Sequence, residues 1–431
     1  MPFMERFFGL AEHGTSLRRE MAAGAATFLT MAYILVVNPQ ILAAAGIDPG
    51  AAFVATCLAA AIGSALMGLV ANLPIALAPG MGINAYFAFV VVGAQGISWQ
   101  AALGAVFVSG LIFFAVSVSR IREWLIDGIP LSLKLGIAAG IGMFLGLIGL
   151  KNLGLVVANP ATLVGIGNIA SAPVILGSGG FLLMAALSAR RVPGAIIIGI
   201  LATALAGIPF GLTTFHGFLA PPPSLAPTFL QLDIGAVFSI GMLGVVFTFF
   251  LVDLLDNAGT LIGTTHRAGL MREDGSVPRL GRALLADSGG AMIGATLGTS
   301  TTVSYIESVA GIQQGGRTGL TAIAVALFFL LALFAAPLAA SVPEFATAPA
   351  LILVAGLMAQ ALKGIHWNDE TEYLPAMITV FAMPFTFSIT TGIGLGFLAY
   401  VGVKTLAGRA REVHGAVWVL SGLCAIKFAV I

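Results

Sequence analysis

Acidic residues interrupt two of the most apolar stretches of the chain. Asp253 and Asp256 lie within the run Phe249-Phe-Leu-Val-Asp-Leu-Leu-Asp-Asn-Ala-Gly-Thr260, and Glu307 follows the polar run Gly298-Thr-Ser-Thr-Thr302. In a membrane span, an ionised carboxylate at the helix centre costs about 2.5 to 3.5 kcal/mol. Acids that persist despite this cost usually serve transport or binding, so these carboxylates are the first candidates for a functional site.

Phe249, Asp253, Asp256 and Thr260 recur at helical spacing, so they share one face of a helix. Two acids on one face can bind sodium or another metal ion, or one of them can hold a proton, because burial and a like charge both disfavour ionisation. The apolar surroundings favour the proton. We therefore expect Asp253 to contact a ligand and Asp256 to carry a coupled proton. Asp287, beside Ser288, is expected to act as a structural hydrogen bonder.

Composition indicates a membrane protein. The chain has 431 residues, of which 59% are hydrophobic and 9% charged, whereas about a quarter of residues are charged in soluble domains. A formal net charge of +1 leaves no basic surface for nucleic acid. Cys57 and Cys424 both lie in apolar runs, which excludes a disulfide framework or a zinc site. No metal, no other cofactor and no catalytic residue is expected.

Hydropathy predicts 14 membrane spans, each near the 20 residues that cross a bilayer. The long segments are 21–46, 51–73, 98–119, 130–150, 234–263, 283–297, 319–341 and 346–363, and the short or broken ones are 74–92, 173–189, 192–210, 298–313, 372–388 and 391–407. Residues 1–20 and 409–431 are predicted to be interfacial segments at the two ends.

The order of long, broken and short spans repeats, with seven spans in residues 21–210 and seven in residues 233–408. An odd number per half places the halves in opposite orientations, as in inverted-repeat transporters. Spans 3 and 10, broken at Pro79-Gly80-Met81-Gly82 and at Gly298–Thr302, are predicted to contain short extended segments followed by half-helices, with Glu307 at the start of the second half-helix. The fold class is therefore an all-α polytopic membrane protein, with residues 211–232 as the outer linker.

All of the 19 Lys and Arg residues except Lys151 and Lys427 fall in predicted inner loops. By the positive-inside rule, both termini are expected on the cytoplasmic side of the plasma membrane.

Three motifs of the chain resemble those of a known family. Residues Ala71-Asn-Leu-Pro-Ile-Ala-Leu-Ala-Pro-Gly-Met-Gly-Ile-Asn-Ala-Tyr86, Phe250-Leu-Val-Asp-Leu-Leu-Asp256 with Gly259-Thr260, and Gly298-Thr-Ser-Thr-Thr-Val-Ser-Tyr-Ile-Glu-Ser308 are similar to the AzgA-like branch of the xanthine/uracil (nucleobase-ascorbate) permeases. The resemblance implies proton symport of purine bases (hypoxanthine, guanine or adenine), often by a homodimer. It also implies a core domain of spans 1–4 and 8–11 that moves, elevator-like, against a gate domain of spans 5–7 and 12–14.

By the same resemblance, substrate and coupling positions fall on Asn84, Asp253, Asp256 and Glu307. Phe249 and Thr302 are expected to join them, because they neighbour the polar cluster. A carboxylate suits the ring N–H donors of a neutral purine, whereas an anion transporter of similar fold would require a positive charge there.

Several alternatives remain open at this stage. A uracil or xanthine permease, or sodium coupling in place of proton coupling, fits the same pattern. A passive channel would also show polar residues at the midplane. An intramembrane aspartyl protease is disfavoured, because both aspartates lie on one helix and neither follows a Gly-x-Gly-Asp motif.

Overall fold

The ends of the helices lie close to the boundaries that hydropathy predicts. The computed structural model describes residues 2–119, 124, 128–267, 270–271, 277 and 279–430. Arg120, Arg122 and Arg272, which the sequence assigns to inner loops, lie outside these residues. The helices are α1 (Pro2–Phe8), α2 (Leu17–Met31), α3 (Ile34–Ala43), α4 (Pro49–Leu66), α5 (Met81–Ala85), α6 (Trp99–Val118), α7 (Leu131–Leu153), α8 (Ala172–Ala189), α9 (Ala195–Gly207), α10 (Ile240–Arg267), α11 (Leu280–Leu297), α12 (Ser308–Gln313), α13 (Gly319–Ala332), α14 (Ala336–Ala340), α15 (Glu344–Ala359), α16 (Glu370–Phe385), α17 (Ile389–Leu406) and α18 (Gly415–Val430).

Shorter elements complete the fold. Turns of π-helix extend α4 (Met67–Ala71) and α5 (Tyr86–Ala94), and the strands are β1 (Leu77–Pro79), β2 (Val156–Asn159), β3 (Leu163–Ile166) and β4 (Thr302–Ser304). Short 3₁₀ turns lie at Ile208–Phe210, Gly235–Phe238, Leu333–Ala335, Gln360–Gly364 and Ala410–Glu412.

Within the described residues, nine helices are long and apolar enough to cross a membrane, and shorter apolar helices cover Met81–Ala94, Ala195–Phe210 and Gly415–Ala429. The chain is therefore a multi-pass membrane protein. The count of 14 spans in two inverted halves stays a prediction.

The long helices pack in two groups. In the first group, α11 packs on α4 and α6, α13 packs on α2 and α4, and α10 packs on α6. In the second group, α7 packs on α15 and α16, α16 packs on α17, and α8 packs on α9 and α15. Contacts between the groups are few and include those of α5 and α10 with α7. The main hydrophobic cluster nevertheless runs through both groups and includes Phe249 of the first and Phe144 of the second.

The two broken spans meet through their backbones. Strands β1 and β4 pair antiparallel, with Pro79 opposite Thr302, and both strands are buried. Next to them, the amide of Gly80 donates to the carbonyl of Thr301 at 2.9 Å. Inside a bilayer every backbone polar group needs an internal partner, and each broken span supplies the partners of the other. The extended segments predicted in spans 3 and 10 are present.

Three features concern the segments between and beyond the predicted spans. Strands β2 and β3 form a hairpin in a stretch where no element was predicted; its four-residue strands are too short for a hydropathy window, and Asn159 closes the turn by accepting from the amide of Ala161 at 2.9 Å. Helix α2 begins at Leu17, inside the segment assigned to the N-terminal interface. Helix α18, expected to be interfacial, packs against α17.

Charged residues gather where the second group meets the segment after α17. Arg409 donates to Asp369 at 2.8 Å and to Glu412 at 2.8 Å, and the buried Lys404 pairs with Glu372 and Glu412, each at 2.9 Å. Hydrogen bonds from Thr371 and from Arg409 lower the pKa of Asp369 to about 2. Hydrogen bonds from Arg409 and Lys404 lower the pKa of Glu412 to about 2. Both carboxylates are therefore ionised at neutral pH.

Candidate functional site

The candidate acids are positioned by α10, α11 and the broken span that contains β4. Helix α11 ends at Leu297 because Gly298 has a φ of +96°, a left-handed conformation that glycine adopts without strain. The chain then turns into β4, which packs against both α10 and α11. Asp253 on α10 and Asp287 on α11 therefore approach the same strand.

A hydrogen-bonded chain joins these two aspartates through β4. Asn257 donates its amide to Oδ1 of Asp253 at 3.2 Å and accepts from the backbone N–H of Ser304 at 2.8 Å. The hydroxyl of Ser304 donates to Oδ1 of Asp287 at 2.8 Å. Both carboxylates are fully buried. Asp287 is thus the hydrogen bonder that the sequence predicted, and it also belongs to the acid cluster.

Several buried oxygens at this crossing have no hydrogen-bond partner within the described part of the chain. They are Oδ2 of Asp253 and the hydroxyls of Thr301 and Thr302. Most buried polar groups in proteins are paired, so an unpaired one needs an explanation such as an absent ion, water or ligand. The unpaired oxygens mark the crossing of β4 and α10 as a site that can take a bound species.

Asp256 and Glu307 form the accessible part of the cluster. Both side chains are half-buried, in contrast to Asp253 and Asp287, and α10, which carries Asp256, packs against α12, which begins just after Glu307. Tyr33, from the turn between α2 and α3, donates its hydroxyl to Oε1 of Glu307 at 2.9 Å. Asp256 and Glu307 are therefore the two acids of the cluster that keep exposed surface.

No lysine or arginine forms an ion pair with any of these four acids among the described residues. Unneutralised carboxylates accept hydrogen bonds from neutral N–H donors or bind cations. The cluster is accordingly suited to a proton, a cation or a donor-rich neutral molecule, and unsuited to an anion.

Phe249 lies one turn from Asp253 and faces Tyr86. Their rings pack edge to face with centroids 5.2 Å apart. Thr390 of the second helix group donates to the hydroxyl of Tyr86 at 2.9 Å and shares a hydrogen bond with Thr248 of α10 at 2.7 Å. The space around these rings leaves no room for a water-sized molecule, so a planar ligand would have to separate Tyr86 from Phe249.

Asn84 does not join the acids. Its side chain donates to Oδ1 of Asn38 and accepts from the hydroxyl of Ser300, and Asn38 in turn donates to Thr299 at 3.0 Å. Asn84 is fully buried. The family resemblance assigns Asn84 to the substrate and coupling positions. In the structure its amide ties the two broken spans together, because a buried amide is stable only when it is hydrogen-bonded.

Sequence reasoning missed three members of the cluster, namely Tyr33, Asn257 and Ser304. Each becomes part of the site through a contact with a residue distant in the chain or in another element. A tyrosine in an apolar span is more often packed than functional, so its type alone carries little information. Asn257 offered one signal, because it follows Asp253 by four positions and so lies on the same helix face.

Solved transporters share this fold. The transmembrane domain of the cyanobacterial bicarbonate transporter BicA superposes with a TM-score of 0.68 at 18% sequence identity, covering 88% of this chain and 97% of that one. SLC26A9 superposes with a TM-score of 0.64 at 11% identity, covering 90% of this chain and 65% of that one. At these identities the likeness concerns the fold alone.

Sequence relatives cover nearly the whole chain. Adenine permease AdeP of Escherichia coli (strain K12) is 49% identical over 99% of this chain and 96% of its own length. Guanine/hypoxanthine permease PbuG of Bacillus subtilis (strain 168) is 49% identical over 95% of this chain and 96% of its own. Putative permease MJ0326 of Methanocaldococcus jannaschii is 48% identical over 99% of this chain and 98% of its own length.

Residues 18–395 match the Permease family Xan_ur_permease, which spans both broken segments and all four acids of the cluster. The chain, a multi-pass membrane transport protein and not an enzyme, belongs to this xanthine/uracil-type permease family.

Proposed function

We propose that this protein imports purine nucleobases, adenine, guanine or hypoxanthine, by proton symport across the plasma membrane. Relatives nearly half identical over almost their full length are named adenine permease and guanine/hypoxanthine permease, which favours a purine over uracil as substrate. A homodimer with both termini in the cytoplasm fits the same proposal.

The observation that carries the proposal is the pair of half-buried carboxylates, Asp256 and Glu307. A purine presents ring N–H groups, and guanine adds a 2-amino group, so a carboxylate on each side accepts donors from different edges of the base. Hydrogen bonds to a charged acceptor contribute about 1.5 to 3 kcal/mol each. The ring face is available to Phe249 or Tyr86, since base–aromatic stacking contributes about 1 to 3 kcal/mol.

Burial favours exchanging the roles that the sequence suggests for Asp253 and Asp256, which are ligand contact and proton carrier respectively. Asp256 is half-buried on a helix that packs beside Glu307, whereas Asp253 is fully buried and linked through Asn257 and Ser304 to Asp287. We therefore assign the base contact to Asp256 with Glu307. Asp253 and Asp287 share the coupled proton, because two carboxylates joined by hydrogen bonds through Asn257 and Ser304 in a low-dielectric interior cannot both ionise cheaply.

The two helix groups support elevator-like alternating access, with the first as core and the second as gate. The site lies in the first group, and the bonds from Tyr86 and Thr248 to Thr390 reach across to the second. Movement of one group past the other must break these bonds. The antiparallel meeting of spans 3 and 10 agrees with a 14-span, seven-plus-seven inverted repeat.

Uptake in proteoliposomes tests the proposal. Radiolabelled hypoxanthine should accumulate when the interior is alkaline, and unlabelled adenine, guanine or hypoxanthine should compete. A protonophore should abolish accumulation. Accumulation driven by a sodium gradient at equal pH would show sodium coupling, and competition by uracil but by no purine would make the protein a pyrimidine permease.

A further inference from the structure

Tyr33 occupies an unusual place in the fold. It lies in the turn that separates α2 from α3, its side chain is 1% exposed, and it packs within the main hydrophobic cluster of the protein. Its hydroxyl, however, does not bond to a backbone carbonyl nearby. It crosses to the other half of the chain and donates to Oε1 of Glu307 at 2.9 Å.

Close helix packing brings the two residues together. Helix α12, which begins just after Glu307, packs against α2, which ends just before Tyr33. A Cβ at Gly311 would lie 2.4 Å from the carbonyl oxygen of Ala23 and 2.2 Å from the hydroxyl of Thr27. Only glycine permits this approach, so the distance between the two elements is fixed by backbone contact.

The rigid hydroxyl of Tyr33 restricts the orientation of the Glu307 carboxylate. Because the Tyr33 ring is packed on all sides, its hydroxyl has one position, and the hydrogen bond holds Glu307 in one orientation. A carboxylate has about four acceptor sites, and Tyr33 uses one of them. The remaining sites stay available to a ligand in a fixed direction.

We propose that Tyr33 is a positioning residue for purine recognition, acting through Glu307: its hydroxyl holds the carboxylate in the orientation that accepts the ring N–H of the base. This inference rests on the proposed function, and specifically on the role of Glu307. Holding an acceptor in the bound orientation before the ligand arrives lowers the cost of ordering it on binding.

A double-mutant cycle tests it, because residues that act through one another give non-additive effects. Equilibrium binding of radiolabelled hypoxanthine and adenine is measured for wild type, Tyr33→Phe, Glu307→Gln and the double variant in detergent. Tyr33→Phe should weaken binding about tenfold, the loss of one hydrogen bond to a charged group. In the Glu307→Gln background the same substitution should change the dissociation constant less than twofold.

Tyr305→Phe is the matched control. Tyr305 is also buried, but its hydroxyl donates to the backbone carbonyl of Pro79 at 2.6 Å and not to Glu307. Removing this hydroxyl should therefore change the dissociation constant by the same factor in the wild-type and the Glu307→Gln backgrounds. A melting curve accompanies each variant.

The outcomes separate the two proposals. Wild-type binding by Tyr33→Phe, an equal loss in both backgrounds, or failure of Tyr33→Phe to fold would show a merely structural hydroxyl and overturn the inference while leaving the purine site intact. Wild-type binding by Glu307→Gln alone would remove the proposed site itself, and the inference with it.

Discussion

At the scale of single residues, the four carboxylates of the candidate site have no cationic partner among the residues that the structure describes. Glu307→Gln keeps the side-chain volume but removes the charge, so we expect purine affinity to fall about ten- to a hundredfold, the equivalent of one charge-assisted hydrogen bond. Binding to purified protein measures this directly. The exposed Glu344, at the start of α15, provides the control: Glu344→Gln should bind as wild type does.

Neutralising the aspartates separately tests their division of labour. We expect Asp256→Asn to lose purine affinity about tenfold or more. Asp253→Asn and Asp287→Asn should bind purine but lose accumulation driven by a pH gradient, because they remove the proton-carrying pair. Calorimetry and proteoliposome uptake on the same preparations distinguish the two effects. The opposite pattern, with Asp253→Asn unable to bind and Asp256→Asn binding without pumping, would restore the assignment made from the sequence.

How far the site was predictable depends on the kind of signal each residue carries. The acids were predictable because a carboxylate in an apolar span is costly, and the helical spacing of Asp253 and Asp256 placed them on one face. The difference in burial between Asp253 and Asp256 was not, because it depends on β4 crossing α10. The hydrogen bonds of Asn84 were equally unpredictable, because an amide gives no indication in the sequence of whether it meets a ligand or another amide such as Asn38.

At the scale of elements, α2 and α12 pack so closely beside the site that only glycine fits at position 311. Gly311→Ala would press a methyl group against the backbone of Ala23, at 2.4 Å. We expect it to destabilise the protein by about 1 to 3 kcal/mol, as overpacking does, and to weaken purine binding by displacing Glu307. Melting temperature and binding are the measurements.

Gly356 offers the matched substitution. A Cβ at that position in α15 meets nothing within 4 Å. Gly356→Ala should therefore leave purine binding unchanged and stabilise the helix slightly, since alanine favours a helix over glycine by about 1 kcal/mol. An equal loss of purine affinity in Gly311→Ala and Gly356→Ala would mean that packing at Gly311 is unrelated to the site.

Helices were predictable because a bilayer demands about 20 apolar residues per span, and this constraint leaves a clear hydropathy signal. The hairpin of β2 and β3 carries no such signal, since it has only four residues per strand. The extended strands β1 and β4 were predictable, because glycine, proline and clustered threonines disfavour a continuous helix. Their pairing with each other depends on the tertiary fold, which hydropathy does not show.

The ion pairs around Arg409 predict a pH dependence. The pKa values of Asp369 and Glu412 are both lowered to about 2, below the ordinary values of about 3.9 and 4.3. A lowered pKa in the folded state stabilises the protein above the ordinary pKa, and this stabilisation is lost as pH falls towards 2. The melting temperature of Asp369→Asn should be lower than that of wild type at pH 7, and the difference between the two melting temperatures should shrink between about pH 4 and pH 2. A difference that stays unchanged across that range would contradict the ion-pair explanation.

At the scale of the whole molecule, the orientation in the membrane can be measured by labelling. Cys57 and Cys424 are buried, so single cysteines can be introduced elsewhere with little background. We expect a cysteine at Ala161, in the β2–β3 hairpin, to react with an impermeant maleimide on intact cells. A cysteine at Gly408, after α17, should react only after permeabilisation. Labelling of both positions from outside would contradict the positive-inside assignment.

The pairing of β1 with β4 also has a consequence for biogenesis. Pro79 leaves the ribosome 223 positions (302 − 79) before its strand partner Thr302, a delay of about 10 to 45 seconds at the usual 5 to 20 residues per second. During that delay the backbone of β1 lacks its partner strand, and unpaired peptide groups cannot face lipid without a cost of several kcal/mol each. We therefore expect the segment that contains β1 to stay in the translocon, or beside an insertion chaperone, until the segment that contains β4 has been synthesised.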